Sequence, residues 1–167
     1  EMTYTNVCEA LDLAGIALRA AERGEGDPLV IGGGPCAHNP EPVAPFFDAV
    51  LIGDGEDAVV EIVEAHRAAR GAGLSRTEIL ASLARIDGVY VPSLYSPEPD
   101  GRLVAVPGAP ERVRRRVIAD LDRYLPPSCP VVPYADVVHD RANIEVLRGC
   151  SRGCRFCQAG MVYRPVR

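Results

Sequence analysis

The chain has no lysine, so all 18 of its Lys/Arg positions are arginine. Such a bias reflects GC-rich coding before any functional choice. No apolar run approaches the roughly 20 residues a helix needs to span a bilayer, which excludes a membrane-spanning helix. No secretory leader pattern stands at the N-terminus, and no internal repeat stands out. Aromatic residues are few, at 5%, and none interleaves with the arginines of "RVRRR" (112–116). Without stacking platforms, and within an acidic neighbourhood, this stretch is not expected to contact nucleic acid. Arginines on an edge strand guard it against pairing.

What the chain does contain is unevenly placed. The formal charge is −5 over 167 residues. Residues 141–167 hold six arginines (Arg141, Arg148, Arg152, Arg155, Arg164, Arg167) against one acid, Glu145. That segment is +5, which leaves −10 for residues 1–140. Three of the six cysteines, Cys150, Cys154 and Cys157, lie in the same basic segment. They sit too close in sequence to pair with one another, so a disulfide framework is not the reading. Cys8, Cys36 and Cys129 are scattered bystanders. The pattern indicates a reducing cytoplasm with three ligand thiolates.

Periodicity supplies a coarse fold. Val7, Leu11, Ala14 and Leu18 predict an amphipathic helix over 5–21. "PLVIGGG" (28–34) is apolar on both faces, as a buried parallel strand would be. Ala49–Ile52 predicts a second strand, followed by a helix with Val59, Ile62, Val63 and His66 on its packed side. Ser75 and Glu78 form a capping-box signature for a helix that buries Ile79, Leu80, Leu83 and Ile86. Val89–Val91 predicts a third strand. Strands alternating with helices imply an α/β protein with a parallel sheet. Prolines recur from Pro92 to Pro133. There "RLVAV" (102–106) and "RVRRRVI" (112–118) predict a small hairpin inside an extended linker. Ile144–Leu147 predicts one more strand, ending at the cysteines.

Thiolates are soft ligands suited to iron–sulfur clusters and zinc. A [4Fe–4S] cube is normally held by four thiolates, whereas "CSRGCRFC" supplies three at C-x3-C-x2-C spacing. One iron would be left open, and an open position is how catalytic metal sites admit substrate. Phe156 is placed to shield such a cluster, and Gly149 and Gly153 give the loop room to curl. The alternative is a zinc knuckle with Cys129 or His139 as fourth ligand. At the other end of the chain, Gly32, Gly33 and Gly34 follow the first strand, and Gly53 and Gly55 follow the second. Ligands in open α/β sheets sit beyond the carboxyl ends of strands, and glycine lets them approach the backbone. The plain alternative is that these glycines only make tight turns. His38, His66 and His139 read as structural or solvated.

The cysteine spacing, with an aromatic before the third cysteine and a strand ahead of the first, resembles the cluster loop of the radical S-adenosylmethionine superfamily. The string "IEVLRGCSRGCRFCQAGMVYRPVR", together with "IGGGPCAHNPEP", "LIGDGE" and "VVPYADVVHDRANIE", resembles a bacterial family within it. That family carries a cobalamin-binding-like domain ahead of the barrel. The resemblance implies three parts. Residues 1–91 would be the C-terminal part of a Rossmann-like, cobalamin-binding-like domain, and 92–140 a hairpin and Pro-rich linker. Residues 141–167 would begin a partial TIM barrel.

The resemblance also implies Cys150, Cys154 and Cys157 as ligands of a [4Fe–4S] cluster whose fourth iron takes S-adenosylmethionine. Reductive cleavage would give a 5′-deoxyadenosyl radical, with a flavodoxin- or ferredoxin-type protein as external one-electron donor. The two glycine loops become candidate seats for a cobalamin nucleotide tail, although the D-x-H-x-x-G signature is absent from these residues. Three functions follow as expectations. They are a radical SAM enzyme of unassigned substrate, an iron–sulfur electron-transfer or structural zinc module, and a cobalamin-dependent radical methyltransferase. A barrel takes about 250 residues, so the chain is expected to be a fragment that is inactive alone.

Overall fold

β2 (Ala49–Leu51) is buried along its whole length and forms the middle of a three-stranded sheet. The computed structural model describes residues 3–125, 127–138, 141 and 144–167. In it β1 (Ile31–Gly32) pairs parallel to β2, Ile31 opposite Ala49 and Gly32 opposite Val50. β3 (Val89–Tyr90) pairs with the other edge of β2, Val50 opposite Tyr90 and Leu51 opposite Val89. This last pairing is antiparallel, which corrects the all-parallel expectation. The cause is the number of helices between the strands. α2 (Glu56–Gly71) carries the chain away and α3 (Arg76–Leu83) brings it back. The chain therefore re-enters the sheet where it left, with Ile52 N–H donating to Gly88 O at 2.7 Å.

Side chains alternate across a strand, and β2 uses both faces. Ala49 and Leu51 join Ala58, Ile62, Ala69, Ile79, Leu80 and Leu83 of the two helices, together with Val89 and Val91. Val50 points the other way, to Ala37 and Tyr90, with Phe47, Ile52, Tyr95 and Val113 packed around them. The packed stripe of α2 is Ala58, Ile62, Ala65 and Ala69. Of the expected set only Ile62 is buried; Val59 and Val63 stay about half exposed, at 54% and 48%. Alanines let the helix lie close to its neighbours, and that closeness outweighs the greater hydropathy of the valines.

α1 spans Tyr4–Leu13 and stops eight residues short of the expected end. Gly15, at φ +66°, takes a left-handed conformation that turns the chain out of the helix. The capping box of α3 is present as read. Ser75 N–H donates to Glu78 Oε2 at 2.9 Å, and the Ser75 hydroxyl accepts from Glu78 N–H. The Ser75 hydroxyl, donating to the same Glu78 Oε2 at 2.7 Å, and after it the Ser75 amide hold the Glu78 carboxyl below its ordinary value. A depressed carboxyl stabilises the fold above its unfolded value of 4.5. That contribution is lost as the pH falls from there through the folded value. Ser75→Ala is expected to cost about 1 kcal/mol, read as a lower midpoint in chemical denaturation at neutral pH.

The hairpin is real, but its strands differ from those expected. β4 (Tyr95–Pro97) pairs with β5 (Leu103–Ala105), Ser96 opposite Val104. Between them "EPDG" makes the turn, with Gly101 at φ +83° and Glu98 N–H bonded to Arg102 O. Residues 113–117 are not the hairpin partner, and only Arg116 forms a bridge, parallel, with Gly53. Ile144–Leu147 has no strand pairing among the described residues. Backbone pairing starts one residue later, at Arg148. The chain divides into two units, residues 1–117 and 118–167. Among the described residues no helix is long and apolar enough to cross a membrane.

Candidate metal centre

Within the second unit, the cysteines lie on a loop closed at its base. Arg148 N–H donates to Arg167 O, and Arg167 N–H donates back to Arg148 O, both at 2.9 Å. Gly149 sits where the returning strand crosses. Its φ is +100°, and a Cβ there would lie 2.6 Å from Tyr163 O and 2.8 Å from Pro165 O. The loop cannot close this tightly with any other residue, so Gly149 does more than loosen the backbone. Gly153 meets nothing within 4 Å. Beyond the crossing, Cys157 N–H donates to Cys154 O at 3.1 Å, and a short helix, α4 (Ala159–Val162), follows. Arg152 N–H lies 3.4 Å from Cys150 Sγ as a donor. Two arginines of the basic segment brace the loop. Arg148 pairs with Glu145 at 2.8 Å, and Arg164 donates to Arg152 O at 2.9 Å.

All three thiols are free; Cys154 is exposed, while Cys150 and Cys157 are half-buried. Phe156 is 92% exposed. Among the described residues, no three His, Cys, Asp or Glu side chains stand close enough to hold a metal ion. The loop thus gathers the thiols on one short segment without converging their sulfurs. Cys129, the proposed fourth zinc ligand, is exposed, and His139 lies outside the described residues. The donor set fits a three-thiolate ligand loop on its chemistry: free thiols, a fixed base and an amide already donated to sulfur. Hydrogen bonds to sulfur are among the terms that set a cluster's potential.

The first unit carries the glycine loops. A Cβ on Gly32 would meet the Phe47 ring at 3.0 Å, and one on Gly33 would meet Leu51 O at 3.8 Å. Gly34 is at φ +96° with open space beside it. Gly55 immediately precedes α2, with Leu51 and Val59 side chains at 3.7 Å. Gly53 differs from all of these. At φ +116°, its Cβ would fall 2.1 Å from Arg116 O and 2.7 Å from Arg116 N. The side that would have to be open for a cobalamin tail is occupied by the chain's own backbone, and the group does not fit at this loop.

His38 lies in a turn after Gly34, its Nδ1 3.3 Å from Pro35 O and its Nε2 buried without a hydrogen-bond partner among the described residues. Burial lowers its pKa most; the Pro35 contact raises it, Arg115 lowers it and Asp54 raises it.

The structure also presents a site that the sequence did not disclose. A cavity of about 460 Å³ lies beside Phe47, Tyr90, Tyr95 and Leu103. Beneath it Asp48 accepts from Arg23 at 2.7 Å and from Arg76 at 2.8 Å. An acid directly ahead of a wholly apolar strand was the one local sign of this buried hub.

The family model describing radical SAM proteins, N-terminal, matches residues 1–92. The chain is 26% identical over 129 residues to an anaerobic magnesium-protoporphyrin IX monomethyl ester cyclase of Rubrivivax gelatinosus. The overlap is 74% of this chain and 20% of the cyclase, so the chain spans about a fifth of that relative's length. No solved structure matches.

Proposed function

Because the chain belongs to the family of radical SAM proteins, N-terminal, we propose that it contributes a front domain and cluster loop to a radical SAM enzyme. Cys150, Cys154 and Cys157 would hold three irons of a [4Fe–4S] cluster and leave the fourth for the amine and carboxylate of S-adenosylmethionine. Bound there, such a cluster would supply the one-electron reduction by which the S-adenosylmethionine sulfonium is cleaved. The observation that carries this reading is the triplet of free thiols on a loop clasped at Arg148 and Arg167.

The protein's own part is orientation, as with cofactor enzymes generally. Gly149 permits the crossing that fixes the loop ends. The Arg152 amide donates to the Cys150 sulfur at 3.4 Å and so helps to orient it. Arg152 and Arg155 are exposed and set a positive field beside an increasingly negative centre. The finer fold assignment belongs to the same proposal: a Rossmann-like first domain over 1–91, a hairpin and linker over 92–140, and a partial TIM barrel beginning at 141. So do a cytoplasmic setting and a flavodoxin- or ferredoxin-type electron donor. The relative's tetrapyrrole chemistry, named for a protein of which the overlap covers 20%, is not carried over.

Anaerobic reconstitution with iron and sulfide tests the reading. The expected product is a reducible [4Fe–4S] centre whose electron paramagnetic resonance spectrum changes when S-adenosylmethionine is added. A single tightly held zinc, or a cluster spectrum indifferent to S-adenosylmethionine, overturns it.

A further inference from the structure

We propose that the glycine turns after β2 and before β3 form a socket for the chain's own Arg116, and that the front domain holds this segment in place of a cobalamin tail. Two glycines from separate turns share one explanation. Gly53 is closed off by Arg116 O and N, and Gly88, at φ +93°, would place a Cβ 3.0 Å from Arg116 Cβ and from Ile52 O. Residues that would clear the way for an incoming ligand are here glycine because a single internal residue lies against both.

The fit is made by directed bonds as well as by proximity. Arg116 N–H donates to Ile52 O at 2.8 Å, and Asp54 N–H donates to Arg116 O at 3.1 Å. Both backbone groups of Arg116 are therefore satisfied by the strand end that a ligand would otherwise approach. Its guanidinium pairs through both terminal nitrogens with Glu61 of α2. Three residues earlier, Val113 packs against the cluster of Val50 and Tyr90. The segment is thus gripped by the sheet edge, by a helix and by the second face of the core. The cavity remaining beside Gly32 and Gly33 measures about 170 Å³, below the roughly 300–1,000 Å³ of ordinary small-molecule sites. The carboxyl end of β2 works as an anchorage for residues 113–117.

The test needs no cluster, so its outcome is separate from that of the radical SAM reading. The full chain is equilibrated with excess hydroxocobalamin and dialysed, and amide hydrogen exchange is followed with and without it. No cobalamin is expected to be retained, with the Arg116 and Asp54 amides protected equally in both conditions. Glu61→Ala is expected to speed exchange at Arg116 roughly two- to fivefold, as a half-exposed ion pair allows, while Leu51 and Val89 keep their protection. Gly53→Ala is expected to abolish protection at Arg116. Stoichiometric retention of cobalamin, or loss of Arg116 protection on adding it, overturns the proposal. So does an Arg116 amide that exchanges freely in the unaltered chain.

Discussion

Replacing Asp48 by alanine is expected to remove about 3–5 kcal/mol from the stability of residues 1–117, the usual cost of breaking a buried ion pair from one side. A domain's whole margin is about 5–15 kcal/mol, so this change brings it near unfolding. Asp48 is 2% exposed. Its carboxylate takes three donors: Arg23 at 2.7 Å, Arg76 at 2.8 Å and the Val30 amide at 2.8 Å. Arg23 is also bound to Ala17 O, Leu18 O and Phe46 O, and Arg76 to Gly24 O, Asp27 O and Pro28 O. One acid thus ties the loop over 17–28 to the edge of β2 and to the start of α3.

Alanine at this position leaves two guanidiniums without a counter-charge, the Arg23 side chain wholly buried and that of Arg76 at 11% exposure. Asp48→Asn keeps the shape but not the charge, and is expected to fall between alanine and the unaltered chain. Asp100→Asn is the control. Its pair with Arg102 is largely exposed, and such pairs contribute little, so the denaturation midpoint is expected to stay where it is. A midpoint for Asp48→Ala equal to that of Asp100→Asn would show that Asp48 is not a structural hub.

Local signals in the chain were legible and distant ones were not. The α3 capping box, the apolar run of β2 and the packing of Ile79, Leu80 and Leu83 all lie within a few residues of their cause, and all appear in the structure. α1 is shorter than its periodicity predicts because Leu18 continues the helical period, while the glycine that ends the helix carries no periodicity. The α2 stripe differs from the predicted one because hydropathy ranks valine above alanine, whereas close packing favours the smaller side chain. The direction of β3 was implicit in the two helices before it, but alternation alone suggested a parallel strand. The hairpin's turn is spelled "EPDG", within a stretch whose prolines predict a linker.

Gly53 and Gly149 were visible as glycines, yet the atoms that require them belong to Arg116, Tyr163 and Pro165. Asp48, Arg23 and Arg76 share no motif, and only folding brings them together. The cysteine triplet is the opposite case. Its spacing was fully legible, and it is the arrangement of the sulfurs that the sequence leaves unstated.

Alanine at Cys150, Cys154 or Cys157 is therefore expected to empty the metal centre, each to a similar degree. Iron and acid-labile sulfide retained after reconstitution should fall by more than the roughly 10–100-fold that follows loss of an outer-shell partner, because a direct ligand is removed. Three thiolates that hold three irons would have no redundancy, and Cys129 is exposed and lies outside the loop that carries the triplet. Cys129→Ala is accordingly expected to retain iron as the unaltered chain does.

Gly149→Ala separates ligand chemistry from loop geometry. It leaves every thiol in place but drives a Cβ toward Tyr163 O and Pro165 O, so the clasp between Arg148 and Arg167 must open. Its expected result is a partial loss of iron, smaller than that of any triplet variant. Equal losses for Cys129→Ala and the triplet would mean four protein thiolates surround the metal. No iron would then be open to S-adenosylmethionine, and the chain would carry a closed iron–sulfur or zinc module.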